Sequence, residues 1–121
     1  MDNNLLKNKI LLQNKDFYFC DTLDPILTHS GMIIPHKHIA TPFDFTVQEW
    51  VCLKQILNGA KEYLDKFHPF GYNVGWNIGE AGGQTMEHVH LHVIARFKDE
   101  PYAGMGIRYY LKSKKNKRSS L

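Results

Sequence analysis

The apolar and polar positions of this 121-residue chain follow two periods, one of strands and one of a helix. Ile10 to Leu12 and Phe17 to Cys20 are short runs rich in β-formers on either side of a polar Asn14-Lys15-Asp16 turn, which predicts a first hairpin. Gly31-Met32-Ile33-Ile34 predicts a third strand, closed by Pro35, which has no N–H to give to a continuing ladder. The period then changes. Trp50, Leu53, Ile56, Leu57, Ala60, Leu64 and Phe67 recur every three or four residues, with Lys54, Lys61, Glu62 and Lys66 mainly on the other side, and this predicts an amphipathic helix. Thr46-Val47-Gln48-Glu49 has the form of a capping box, so the helix is expected to begin there.

His68-Pro69-Phe70-Gly71 stops the helix, and Tyr72 to Ile78 alternates again, with Val74, Trp76 and Ile78 on one face. A glycine-rich connection leads to a further strand through His88, and a last strand is expected at Ile107 to Leu111. No internal repeat or low-complexity linker interrupts the series. The pattern predicts an α+β fold, an antiparallel β-meander sheet with one long amphipathic helix packed on it. Its expected extent is a single domain over residues 1–111, followed by a basic, flexible tail over residues 112–121.

Composition narrows the classes. A chain of this length holds one ordinary core, and 43% apolar with 22% charged residues is a globular composition. No apolar run approaches the roughly 20 residues that span a bilayer. Met1 to Lys9 lacks the basic-then-apolar order of a signal peptide, so a cytoplasmic location is expected. Cys20 and Cys52 lie far apart in apolar surroundings and read as reduced, buried thiols. The net charge of +3 misleads, because Arg108, Lys112, Lys114, Lys115, Lys117 and Arg118 stand in the last 14 residues, where there is no acid. The remainder carries nine basic against twelve acidic residues, which argues against a duplex nucleic-acid binder.

The chemistry concentrates in His88-Val89-His90-Leu91-His92. Side chains two apart on a strand share a face, so the three imidazoles are expected together, with Val89, Leu91 and Val93 turned into the core. Such a face has three readings. It is a solvated surface, a metal site built on imidazoles at i and i+2, or a nucleophilic centre acting on a phosphate. The last makes the strongest physical sense. A neutral imidazole is nucleophilic near pH 7, its phosphoramidate adduct is reactive, and flanking imidazoles can stabilise charge on the phosphate oxygens. His90, between the other two, is then the nucleophile, and no cofactor or metal is called for. The preceding Asn77-Ile78-Gly79-Glu80-Ala81-Gly82-Gly83-Gln84-Thr85 supplies glycines that let backbone amides approach a phosphate.

His88 to Ile94 matches the alternating histidine signature of the histidine triad (HIT) superfamily at every position, and the chain resembles that family. The likeness continues through Asn77, Gly79, Gly83, Gln84 and Thr85, through Arg96-Phe97-Lys98 and Gly106-Ile107-Arg108, and upstream through Ile33 to Ile39. The resemblance implies a HIT-like fold and a nucleotide hydrolase or transferase. In such an enzyme His90 attacks the α-phosphorus of a dinucleoside polyphosphate or a nucleoside phosphoramidate to form a nucleotidyl-histidine. By the same likeness His88 and His92 assist, and Gln84 holds an oxygen and positions water. Asn77, Gly83 and Thr85 face phosphate, Asp21 takes the ribose hydroxyls, an adenine nucleotide is the substrate, and the molecule is a homodimer. A nucleotide-binding scaffold without turnover is the alternative, and a metal-dependent hydrolase a further one.

One position departs from the family pattern. Many members place a fourth histidine five residues before the strand-ending proline, where this chain has Ser30, with His29 beside it, and a bulge is what would bring His29 to the site. His36 and His38 read as residues of an exposed loop, and His68 as a helix-end residue with no catalytic part.

Overall fold

The computed structural model describes residues 10–119; the leader reading of Met1 to Lys9 lies outside them. Strands β1 (Ile10–Gln13) and β2 (Phe17–Asp21) form the expected hairpin. Its turn is held by Asn14, whose Oδ1 accepts the amides of Asp16 and Phe17 and whose Nδ2 donates to the Cys52 carbonyl at 2.8 Å. Strand β3 (Ser30–Pro35) pairs antiparallel with β2 in regular register.

Helix α1 (Val47–Asp65) begins where the capping box places it. The Thr46 hydroxyl accepts the Glu49 amide, and the Glu49 carboxylate accepts the Thr46 amide. Its inward face is Cys52, Leu53, Ile56, Ala60 and Leu64, whereas Trp50 is about half exposed and Phe67 lies beyond the last turn. The helix stops at His68, a non-glycine residue at φ 60°, in the left-handed conformation that closes many helices.

The chain returns through β4 (Gly71–Trp76) and β5 (Leu91–Arg96), giving one antiparallel sheet in the order β1-β2-β3-β5-β4. The first three strands form a meander, and β5 then inserts between β3 and β4, leaving β4 at an edge. Helix α1 covers one face. Phe17, Phe19, Ile33, Leu91, Val93 and Ala95 pack against it in the main core. The opposite face carries Tyr18, Cys20, Met32 and Ile34, and also His92 and Ile94, because directly opposed residues of an antiparallel pair share a face and Met32 opposes His92. Cys20 and Cys52 are both buried and free.

Two expectations change. Residues Ile107 to Leu111 form turns, closed by local bonds from the Tyr109 amide to the Gly106 carbonyl and from the Lys112 amide to the Arg108 carbonyl. With those amides satisfied locally, the segment lies over the sheet: Ile107 reaches to 3.4 Å from where a Cβ on Gly75 would stand. The histidine strand is also shorter than the alternation predicts, since regular pairing begins at Leu91. Beyond it, Lys112 to Ser119 is exposed and includes one short turn at Lys114–Asn116.

Candidate active site

His88, at the end of a bend, and His90 precede the ladder, anchored by the Val89 amide, which donates to the Ile39 carbonyl at 2.9 Å. Val89, Leu91 and Val93 face the core and are almost fully buried, so the three histidines turn to the other side as their alternation requires. They are not a solvated face. His88 and His90 are each 7% exposed, and the ring centroids of His90 and His92 are 4.8 Å apart. Opposite His92 stands Gly75, and the space where its side chain would be is approached by Ile107.

Two hydrogen bonds set tautomers. A carbonyl oxygen can only accept, so the ring nitrogen that meets one must carry the proton. His90 Nδ1 lies 3.2 Å from the His88 carbonyl and donates to it, which leaves the lone pair of a neutral ring on Nε2. His88 Nε2 donates to the Pro35 carbonyl at 2.7 Å. Burial pushes the pKa of His88 below its ordinary value; the Pro35 carbonyl draws it partly back, and the neighbouring His38 pushes it down again. Burial, and next the proximity of His90, lowers that of His92. Both imidazoles are thereby shifted toward their neutral form.

His38 is exposed in the loop after β3, as its sequence position suggests, yet it stands beside the histidines. Its ring is 5.3 Å from that of His88, and it lines a cleft of about 340 Å³ with Ala40, Gly79, Gln84 and Thr85. Only the sequential nearness of His36 and His38 to Pro35 hinted at this, because 50 residues of chain separate His38 from His88. His36 turns elsewhere, towards the Tyr18 ring and the Asn14 carbonyl.

Gln84 has a different occupation from the one its motif suggests. Its Oε1 accepts the Gly79 amide at 2.8 Å, while Nε2 donates to the carbonyls of Ala40, Met86 and, at 3.3 Å, Glu87. The amide is spent on tying the glycine loop to the chain after β3. Gly79 and Gly83 both have positive φ, the conformation that favours glycine, and the Asn77 side chain lies within 4 Å of where a Cβ on Gly83 would be. Asn77, Gly83 and Thr85 are therefore gathered in one exposed loop beside His38.

Asp21 and His29 are not brought to the histidines. Asp21 follows Phe19 on the helix-covered face at the end of β2, and its Oδ1 accepts the Leu23 amide at 2.7 Å. The β2–β3 and β3–β5 registers contain no bulge, so His29 does not cross to the other face. It stacks on Phe67 at 4.0 Å and meets the edge of Phe97. Ser30 does lie on the histidine face, but its hydroxyl is engaged with Thr22 and the Leu27 carbonyl. His68 is exposed, away from the cluster. Among the described residues no three His, Cys, Asp or Glu side chains converge as a metal-binding group.

Comparison with known proteins bears on the family and the fold. Residues 4–99 match the family model described as HIT domain. "Protein hit" of Bacillus subtilis is 34% identical over 70 residues, which are 54% of this chain and 46% of that protein. An AP-4-A phosphorylase of Mycobacterium tuberculosis is 34% identical over 90 residues, 73% of this chain and 46% of that protein, so the chain spans about half the length of these relatives. Among solved structures, a HIT family protein from Bacillus anthracis superposes with a TM-score of 0.69 at 23% identity, over 75% of this chain and 65% of that one. These structural likenesses bear on the fold alone.

Proposed function

The chain belongs to the HIT domain family, and on that premise we propose that it is a nucleotide hydrolase or transferase with His90 as its nucleophile. The observation that carries this reading is the bond from His90 Nδ1 to the His88 carbonyl, which leaves Nε2 with its lone pair. In the first step Nε2 attacks the α-phosphorus of a dinucleoside polyphosphate or a nucleoside phosphoramidate. A phosphorus–nitrogen bond forms, the bond to the leaving oxygen or nitrogen breaks, and the leaving group takes the electron pair and, where it is an amine, a proton from solvent water. In the second, water attacks the same phosphorus and gives up a proton to solvent, the phosphorus–nitrogen bond breaks, and His90 recovers its lone pair. Inorganic phosphate as acceptor would instead make this a phosphorylase, the activity named for the M. tuberculosis relative.

His92, shifted toward its neutral form by burial, is suited to hydrogen-bond the phosphate oxygens and leaving group, whereas the N–H of neutral His88 goes to the Pro35 carbonyl and leaves His88 to orient His90 through its own carbonyl. The Gly79 to Thr85 loop, whose Gly79, Gly82, Gly83 and Gln84 amides are bonded within the loop itself, offers the side chains of Asn77 and Thr85 to the phosphate, and Gln84 acts here as a positioning residue. Asp21 would receive a ribose only if the nucleoside extends round the end of β2. The buried free thiols of Cys20 and Cys52 suit a reducing compartment such as the cytosol. Among the described residues, no helix is long and apolar enough to cross a membrane.

A homodimer is part of the proposal. Strand β4 is an edge, and Phe45 links Trp76 at its end to Trp50 of α1, with ring centroids at 5.7 and 5.3 Å. Exposed Val47, Val51 and Val74 extend this apolar surface, which a second copy would cover.

Incubation with diadenosine tetraphosphate and an AMP phosphoramidate, without acid quenching, should trap AMP on His90, and turnover should persist through exhaustive chelation. Turnover with no label on His90 would sink the covalent reading. Nucleotide binding without turnover of either substrate would favour the scaffold, and loss of activity on chelation the metal-dependent enzyme.

A further inference from the structure

We propose that the cavity of about 610 Å³ on the histidine face is the subsite for the leaving nucleoside of a dinucleoside polyphosphate, walled by the chain's own C-terminal segment. This rests on the reaction proposed at His90. The cavity is floored by Ile94 and Arg96 of β5, on the same face as His92. Ile94 is four residues beyond His90, roughly 13 Å along an extended chain. A polyphosphate attacked at its α-phosphorus by His90 and running along β5 therefore delivers its far nucleoside here.

The lining suits a base. Leu27, Ile94 and Met105 are apolar, and Tyr102 and Tyr110 add aromatic rings of the kind on which bases stack with tolerance of their identity. Its volume falls within the usual range of small-molecule sites. The wall is also organised before any ligand arrives. Arg96 donates Nε to both Glu100 carboxylate oxygens, Nη1 to Asn73 and the Met105 carbonyl, and Nη2 to the Tyr102 carbonyl. Four of its five N–H groups hold Asn73 and the 97–106 segment in place, and its charge is balanced by Glu100.

The attraction for phosphate must then come from elsewhere, and the chain supplies it next to the cavity. Arg108 and Lys112 flank Tyr110, in a stretch of 14 residues with six basic side chains and no acid. Ile107 of the same segment rests over Gly75, the residue paired with His92. One short piece of chain thus runs from Gly75, beside His92, to Tyr110 in the cavity wall, and its exposed basic residues make that stretch positively charged.

Two substrates with the same reacting nucleotide separate this subsite from the catalytic centre: diadenosine tetraphosphate, which has a far nucleoside, and adenosine 5′-phosphoramidate, which has none. Tyr110→Ala removes part of the wall, and Ile94→Phe fills the floor. The ratio of kcat/KM for the dinucleotide to kcat/KM for the phosphoramidate should fall at least tenfold in both variants. The ratio does not depend on the fraction of active protein, so partial misfolding does not obscure it. An unchanged ratio in both, whether both substrates suffer equally or neither does, overturns the subsite and leaves the role of His90 standing. A wild-type chain that turns over neither substrate removes the role of His90 and the subsite together.

Discussion

His90 donates its Nδ1 proton to the backbone carbonyl of His88, 3.2 Å away, so the histidine two residues earlier in the chain decides which nitrogen of His90 is free to react. The relationship needs only extended backbone and a carbonyl, and it holds a neutral imidazole in one tautomer and one orientation. His90→Asn is expected to lower turnover at least 1,000-fold, in keeping with loss of a nucleophile. Nucleotide affinity, read by calorimetry, should stay within a few-fold of wild type. A variant that retains a tenth of its turnover would show that another group attacks phosphorus.

The depressed pKa values of His88 and His92 make stability depend on pH below neutrality. Each takes up a proton in the unfolded chain near pH 6.5, before it does so in the folded one, so the unfolded state binds more protons as pH falls. Stability from these two groups is complete above that pH and is lost as pH drops through the window between it and the folded-state values. Thermal melts at pH 7 and pH 5 should show a fall in Tm that is smaller in His88→Gln and in His92→Asn. A difference identical to wild type in both would contradict the buried neutral imidazoles.

Gln84 should tolerate no close analogue. Its Nε2 donates to three carbonyls, which the carboxylate of Gln84→Glu would instead repel, so that variant is expected to be worse than Gln84→Ala. The expected cost is about 1–3 kcal/mol in urea unfolding, with faster hydrogen exchange over Gly79 to Glu87 and a lower kcat/KM. Equal stability of the Glu variant and wild type would show that the loop is held by something else.

The left-handed residue at the end of the helix is a place to gain stability. His68 has φ 60° and is exposed, and an L-residue held there loses roughly 1 kcal/mol that glycine does not. His68→Gly is expected to raise the urea midpoint at constant slope and leave turnover alone. A lowered midpoint would mean that the imidazole contributes more than its backbone costs.

Local and periodic features were legible in the chain itself. Thr46 and Glu49 are three residues apart, and their reciprocal bonds depend on nothing distant, so the start of α1 follows from sequence. The facing of His88, His90 and His92 follows likewise from the alternation of Val89, Leu91 and Val93, which burial holds on the core side. The same logic misleads at Ile107 to Leu111, where the alternating apolar pattern suits a strand but the segment closes its bonds locally and packs across the sheet over Gly75. It is also silent on His29, whose side of the sheet is decided by the regular β2–β3 register.

By itself, then, the sequence determined the elements, the capping of the helix, and which three imidazoles share a side, because each depends on residues within a turn or two of one another. Tertiary structure alone decided that His38 meets His88, that the Gln84 amide ties its loop to Ala40 after β3, and that the C-terminal segment walls a cavity beside the histidines. Those depend on which distant backbone groups arrive within about 3 Å, and on the order in which strands join the sheet. No spacing along the chain encodes either one.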